Sequence, residues 1–392
     1  MQAKHPSPQT GVSSNATIWI SAGEPSGDMH AALLLSALKQ RDPSLAFTGM
    51  GGMAVADAGC HVRHGMELVS LVGLGGILRG LPGILALLRR IKHDLKRLRP
   101  KAVILVDCPE FNFRVAKIAH KLGIPVYYYI SPQIWAWRSG RVNFLKKHVR
   151  EVLCILPFEK SFYEQRGMRA QYVGHPLMDR LPLAELDALP VDPDSVGILP
   201  GSRRREIATL LPVFAEAVRR MSREHPIRHV RLVRAPGADE SLLRSLWPDD
   251  LPCEMVEPEA RYAAMRRSRV LLAASGTVTL EAALIGTPGL LAYKLSPFEF
   301  KLTNWLVNVE FAGLPNLIHK REVFPELIQE KAEPEGMART ALELLLDGPK
   351  RHAALADLAA LRTMVGEPGA PQRAADIILN DLRTLATEPP HA

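Results

Sequence analysis

Twice along the chain, apolar runs of strand length alternate with helical patterns, and each run ends in a short loop that opens a helix. The first half shows this in "IWISAGEPSGDMHAALLLSAL" (Ile18–Leu38), "KAVILVD" (Lys101–Asp107), "PVYYYI" and "EVLCILP", and closes at "AQYVGHPLMD". The helical stretch "FNFRVAKIAHKLG" ends on Gly123, a helix-stop signal. A proline-rich, acidic segment, Arg180–Ser195, follows, and the alternation restarts with "VGILP", "HVRLVRAP" and "RVLLAAS". Strands that are apolar throughout and separated by helices pack as parallel sheets covered on both faces. The pattern predicts an α/β protein of two Rossmann-like, doubly wound domains facing a cleft. These are residues 17–179 and 196–370, joined by a linker over 180–195, with a loose polar tail over 1–16 and a C-terminal helix and tail over 371–392. Ligands of such sheets sit beyond the carboxyl ends of the strands, so the loops there carry the functional question.

A chain of 392 residues, 47% hydrophobic, can build two cores, and 23% charged residues argue against disorder. Four scattered cysteines without a C-x-x-C pair exclude a zinc ribbon and fit a reducing cytoplasm. The polar start, "MQAKHPSPQTGVSSNAT", has no apolar core for a signal peptide. Of the net charge of +8, a single segment, Arg89–Lys101, supplies +6, which leaves +2 elsewhere and argues against a nucleic-acid-binding protein. The segment before it, Leu68–Leu88, has the length of a membrane span, about 20 residues, but its five glycines, Pro82 and Arg79 argue against one spanning helix. Two readings stand for this apolar-to-basic run: a core helix, or a surface with Leu74, Ile77, Leu81, Arg89 and Arg90 that touches an anionic membrane.

Two motifs look like sites and are read otherwise. "GMGGMA" (Gly49–Ala54) matches a dinucleotide fingerprint but follows the second strand and precedes at most a very short helix. "DPD" (Asp192–Asp194) has the form of a metal-binding pair but lies before a strand, in the linker, as a solvated turn. No metal and no cofactor is expected. "ILPGSRRREI" is more specific. Gly201 and Ser202 allow close backbone approach at a helix N-terminus, and Arg203 adds a fork of donors suited to phosphate. "LLAASGTVTLEAALIGTP" repeats that logic with Ser275, Gly276 and Thr277, and Glu281 follows one turn later on the same helix face. Two anion-ready loops and an acid able to accept hydrogen bonds from ribose hydroxyls suggest a nucleotide sugar. In "ILVDCPEFNF", Asp107 ends a buried strand and Glu110 follows within a turn; proton acceptance from a sugar hydroxyl and plain helix capping are both open to them. In "SAGEPSGD", Glu24, Ser26 and Asp28 can bond sugar hydroxyls, and the backbone at Ser26–Gly27 allows close approach of either the acceptor or the donor's diphosphate.

Taken in order, "SAGEPSGD", "GMGG", "DCPEFN", "SPQIWAWR", "VGHPLMD", "LPGSR", "ASGTVTLEAALIGTP" and "LPNLI" resemble the signatures of the lipid A disaccharide synthase family, from about Ile18 to about Gln329. The resemblance implies a GT-B glycosyltransferase that works without a D-x-D metal site. Its reaction joins UDP-2,3-diacylglucosamine to 2,3-diacylglucosamine 1-phosphate, giving the β-1,6-linked disaccharide 1-phosphate and UDP with inversion. It also implies residue roles. Asp107 is the base, while Arg203 with the amides of Ser275–Thr277 steadies the departing UDP. Glu281 holds the ribose, and Asn316 touches the donor. Glu24, Ser26, Gly27, Asp28 and Glu110 lie on the acceptor side. Acylated substrates shift the run Leu68–Lys101 towards membrane contact, so the expected place is cytoplasmic and peripheral, on the inner face of the inner membrane. No oligomeric state is implied. Gln133 and Trp135 of "SPQIWAW" are read as cleft lining or packing. The competing readings are another GT-B enzyme, such as a peptidoglycan-precursor transferase or an epimerase, and a non-catalytic UDP-sugar binding module.

Overall fold

The computed structural model describes residues 17–73, 77–137, 139–295 and 310–387. The chain divides into two compact units, residues 1–176 with 368–392, and residues 177–367. The first unit is built on β1 (Thr17–Ala22), β2 (Ala46–Gly51), β3 (Cys60–Gly65), β4 (Ala102–Val106), β5 (Val126–Tyr129), β6 (Glu151–Cys154) and β7 (Ala170–Tyr172). Its helices, in the same run of chain, are α1 (Pro25–Arg41), α2 (Met53–Asp57), α3 (Glu67–Gly73), α4 (Ile77–Leu98), α5 (Pro109–Lys121), α6 (Ile134–Trp137), α7 (Val142–His148) and α8 (Pro157–Glu164). The strands form one sheet in the order β3-β2-β1-β4-β5-β6-β7, and every pair is parallel.

Every residue of β4 is buried, and the reason is visible in its alternation. Val103 and Leu105 pack with Trp19, Ile91, Leu95 and Val115 on the face of α4 and α5. Ala102, Ile104 and Val106 pack with Ile18, Ile20, Leu34, Leu35 and Leu38 on the face of α1. A sheet covered twice has no polar side to present, so its strands read as continuous apolar runs.

The second unit begins with α9 (Leu177–Arg180) and α10 (Leu183–Asp187). Its sheet, in the order β10-β9-β8-β11-β12-β13, contains β8 (Ser195–Leu199), β9 (His229–Val233), β10 (Glu254–Val256), β11 (Val270–Ala274), β12 (Gly289–Tyr293) and β13 (Glu326–Ile328). The helices are α11 (Arg204–Glu224), α12 (Glu240–Leu246), α13 (Arg261–Arg267), α14 (Thr277–Ile285), α15 (Leu314–His319), α16 (Pro334–Leu345) and α17 (Pro349–Val365). Both units thus share the doubly wound order 3-2-1-4-5-6 expected of Rossmann-like sheets, the first with one further strand.

Two boundaries fall differently from the sequence reading. Segment 180–195 is not an open linker throughout: Leu183 and Leu186 of α10 are buried, and Asp187 pairs with Arg362 at 2.9 Å within the second unit. The last helix, α18 (Ala370–Thr387), belongs to the first unit, where Ala374, Ala375, Ile378 and Leu379 join the core of α1. The polar tail over residues 1–16 lies outside the described residues.

Candidate functional site

In the first unit the sheet order reverses between β1 and β4, where Ala22 pairs with Val106. The Gly23–Glu24 turn that opens α1 and the turn at Asp107 therefore start side by side. Helix α1 leaves to one face of the sheet and α5 to the other, which opens a crevice between them. Gly23 is required by this contact: a Cβ there would stand 2.6 Å from Cys108 Sγ.

Asp107 and Cys108 both have φ +48°, two successive non-glycine residues in the left-handed region. Each costs roughly 1–2 kcal/mol, so neighbouring groups must hold the turn. Asn112, fully buried in the first turn of α5, does most of this. Its Nδ2 donates to Asp107 O at 2.8 Å and Val106 O at 3.2 Å, and its Oδ1 accepts from Ser21 Oγ at 2.7 Å. The Tyr128 hydroxyl donates to the same Asp107 carbonyl at 2.8 Å. The half-buried Asp107 sits in this turn, just past the end of β4. Burial and the adjacent Glu24 carboxylate raise its proton affinity above the ordinary carboxylate range, against the opposing Cys108 amide. A carboxylate so placed is a stronger base than a solvated one. The Cys108 thiol, pushed up to about 12 by burial and by Glu24 and Asp107, stays protonated at neutral pH.

The other acids of this region divide. Glu24 is half-buried beside Asp107, and Ser26 is exposed in the first turn of α1. Glu110 is exposed and ion-paired with Arg141 at 2.9 Å. The expectation for Asp28 is corrected. Its carboxylate is buried and accepts from Gly52 N at 2.7 Å and Ala54 N at 2.9 Å, capping α2. That bond also explains "GMGGMA": its glycine-rich end bends the backbone amides around an internal carboxylate. Gln133 is exposed, and the half-buried Trp135 donates through Nε1 to the buried Glu159 at 3.0 Å.

The second unit repeats the geometry. β8 and β11 flank its reversal, with Leu199 paired to Ala273. A cavity of about 310 Å³ lies over their carboxyl ends, lined by Gly201, Ser202, Ser275, Gly276, Thr277 and Glu281 together with Arg180 and Arg261. Six of the expected donor residues therefore meet in one place. Arg203 follows them as the exposed N-cap of α11. The N-termini of α11 and α14 both open here, and the positive end of each helix dipole favours an anion. Glu206, which the sequence reading passed over, caps α11: its carboxylate accepts from Ser202 N at 3.3 Å. Gly201 has φ +95°, and a Cβ there would meet Glu206 Oε2 at 2.1 Å, so glycine is needed twice over.

Glu281 projects from α14 into the cavity and is held from α13. Tyr262 donates its hydroxyl to Oε1 at 3.2 Å, and Arg261 Nε lies 4.0 Å from Oε2. Burial raises the Glu281 carboxyl, and Arg261, Tyr262 and Arg180 oppose that. Asn316 is a correction: it is fully buried and its amide is spent inside the unit. Oδ1 accepts from Val323 N and Phe324 N, both at 2.8 Å, while Nδ2 donates to Phe324 O and Glu326 Oε1, both at 2.8 Å. No polar group of Asn316 is left for a donor. The Asp192 and Asp194 carboxylates are held by Arg231 at 3.1 Å and Arg228 at 2.9 Å, as a turn clamped by cations.

The apolar-to-basic run folds largely as α4, and it has two faces. Ile84, Leu87, Leu88, Ile91 and Leu95 are in the core. Leu81 and Leu85 are 46% and 44% exposed, in line with Arg89, His93 and Arg97 at helical spacing; Arg90 is exposed beside them. Leu74 lies outside the described residues, as does the side chain of Ile77. Among the described residues, no helix is long and apolar enough to cross a membrane.

The profile of the family described as lipid-A-disaccharide synthetase matches residues 18–373. The chain is 39% identical over 373 residues to the lipid-A-disaccharide synthase of Anaeromyxobacter dehalogenans (strain 2CP-C), covering 93% of this chain and 97% of that one. It is 38% identical over 369 residues to that of Myxococcus xanthus (strain DK1622), covering 92% and 96%. Among solved structures it resembles the calicheamicin glycosyltransferase CalG4, with a TM-score of 0.62 at 17% identity over 95% of this chain and 99% of that one. It also resembles the UDP-GlcNAc 2-epimerase of Neisseria meningitidis bound to UDP-GlcNAc, with a TM-score of 0.55 at 11% identity over 94% and 99%. At these identities the two structures speak for the GT-B fold.

Proposed function

The chain belongs to the lipid-A-disaccharide synthase family and is a glycosyltransferase of lipid A disaccharide synthesis, and on that premise we propose a division of labour between its two units. The second unit binds the donor, UDP-2,3-diacylglucosamine, and the Asp107 turn of the first receives the acceptor, 2,3-diacylglucosamine 1-phosphate. The acceptor 6-hydroxyl gives its proton to Asp107 as its oxygen bonds to the anomeric carbon of the donor. The bond from that carbon to the UDP oxygen breaks, and a single displacement inverts the centre. Negative charge then grows on the leaving diphosphate. The α11 and α14 N-termini, with Arg203, favour that charge through fixed donors. Glu281 receives the ribose hydroxyls. Glu24, Ser26 and Gly27 border the acceptor.

The observation that carries this reading is the Asp107 carboxylate. It is held in a strained turn by Asn112 and Tyr128, and its proton affinity is raised by burial and Glu24. A carboxylate kept in that state costs stability, and a base for a hydroxyl is the use that fits it. Replacing Asp107 by Asn removes the base and keeps the shape. Disaccharide formation, followed by mass spectrometry with both diacyl substrates, is expected to fall about 10²–10⁴-fold, with UDP affinity kept. Wild-type turnover in Asp107→Asn would overturn the assignment.

Both substrates carry acyl chains, so the reading includes peripheral binding at the cytoplasmic face of the inner membrane. The supporting feature is the exposed stripe of α4, where Leu81 and Leu85 run into Arg89, Arg90 and further cations. Apolar insertion plus attraction to anionic headgroups is the usual physics of such a stripe.

A further inference from the structure

Arg261 and Tyr262 belong to none of the motifs above, yet together they are placed to fix the Glu281 carboxylate. We infer that Arg261 and Tyr262 are positioning residues that orient Glu281 for a vicinal diol, and so set the preference of the site for a ribonucleotide over its deoxy counterpart. The inference rests on the reading that Glu281 receives the ribose.

The Arg261 guanidinium is locked on three sides. Nη1 donates to Pro258 O at 2.7 Å, Nη2 donates to the Tyr262 hydroxyl at 2.6 Å, and the group lies over the Tyr262 ring, 4.0 Å from its centroid. A phenol oxygen that accepts from a cation directs its own proton elsewhere, and here that proton goes to Glu281 Oε1 at 3.2 Å. Charge at one end of such a chain strengthens donation at the other. Arg261 does not grip Glu281 directly: the Nε–Oε2 separation of 4.0 Å is beyond hydrogen-bond range. Orientation therefore runs through the phenol.

The consequence follows from lone pairs. A carboxylate has about four acceptor directions. Tyr262 takes one on Oε1, and Arg261 lies beside Oε2. Each oxygen keeps a free direction, and Glu281 lines the cavity. Two hydroxyls on neighbouring carbons can meet two oxygens of one fixed carboxylate. A rotating carboxylate, or one that had taken up a proton, would meet them less well. The Glu281 side chain is 12% exposed and that of Arg261 17%, so solvent does not easily replace the missing donor.

Equilibrium binding of UDP and 2′-deoxy-UDP to wild type, Tyr262→Phe, Arg261→Lys and Glu281→Gln tests this. Wild type is expected to favour UDP by at least about tenfold. Tyr262→Phe, which keeps the ring and removes only the hydroxyl, is expected to reduce that ratio several-fold, and Arg261→Lys to reduce it also. A wild-type ratio retained in Tyr262→Phe overturns the inference while leaving Glu281 as a ribose ligand. An equal loss for both ligands in Tyr262→Phe overturns it too, since that marks a packing role. If wild type and Glu281→Gln both bind the two ligands equally, the ribose reading of Glu281 fails, and the inference with it. Circular dichroism on each variant separates these outcomes from misfolding. Should Tyr262→Phe misfold, Arg261→Lys carries the test on the same ratio: a reduced ratio supports the inference, and a wild-type ratio overturns it.

Discussion

Asp107 shows how much a single side chain depends on groups that no local pattern reveals. Its place at the end of an apolar strand was legible, because a charge after "KAVILV" has to leave the sheet. The left-handed backbone at Asp107 and Cys108 was not, since neither residue type asks for it. Nor was Asn112, which in sequence is one more polar residue in a helical first turn; only the strained carbonyl it serves makes it necessary. Asp28 and Glu24 are four residues apart at the start of α1 and look alike on paper, yet one caps a second helix and the other lies beside Asp107. This pair makes a pH prediction. Burial and the Glu24 charge hold the Asp107 carboxyl above the ordinary range, so the acidic limb of kcat/KM is expected above that range as well. Glu24→Gln removes the negative neighbour, lowers the affinity of Asp107 for its proton and moves the limb to lower pH. A limb that stays in place, or moves up, would separate Glu24 from the base.

At the scale of an element, α4 resolves a choice that periodicity left open. Core helix and membrane surface were alternatives for one stretch, and the fold buries one face of the helix while leaving Leu81 and Leu85 exposed on the other, the face proposed above for the membrane. Apolar residues exceed what one buried face can hold, so Leu81 and Leu85 remain outside. Replacing both by serine is expected to reduce binding to anionic vesicles about tenfold or more, at roughly 1 kcal/mol per half-exposed leucine lost from the lipid. The melting temperature is expected to stay within about 2 °C. A variant that melts early while still binding vesicles would place those leucines in packing. The short helix α2 teaches the reverse lesson. A glycine-rich string that matches a cofactor fingerprint is here a wrapping for Asp28, and its position after the second strand was the clue.

For the whole molecule, the last helix ties the chain back to its beginning. Asp381 of α18 accepts from the Tyr127 hydroxyl at 2.6 Å and from Arg150 Nη2 at 2.9 Å, with Arg169 at 3.4 Å. Desolvation pushes its carboxyl up, but the bonds from Arg150 and Tyr127 outweigh that and hold it below the ordinary range. Its stabilising part is therefore present above the ordinary carboxylate pKa and is lost as pH falls through the lowered one. Asp381→Ala leaves the Tyr127 hydroxyl and Arg150 without their acceptor and is expected to cost about 2 kcal/mol in urea unfolding. UDP affinity, which is proposed above for the other unit, is expected to hold; a fall in it would contradict that assignment. The repeated alternation of strand and helix, the parallel sheets and the glycine-containing turns at the strand ends were determined by the sequence alone, because hydrophobic period and turn chemistry are local. Tertiary structure alone decided that α18 closes the first unit, that Asn316 and Asp28 are spent inside, and that Arg261 and Tyr262 stand behind Glu281. Each of these depends on partners distant in the chain or on which side of a turn a carboxylate finds its donors, and no local pattern encodes that.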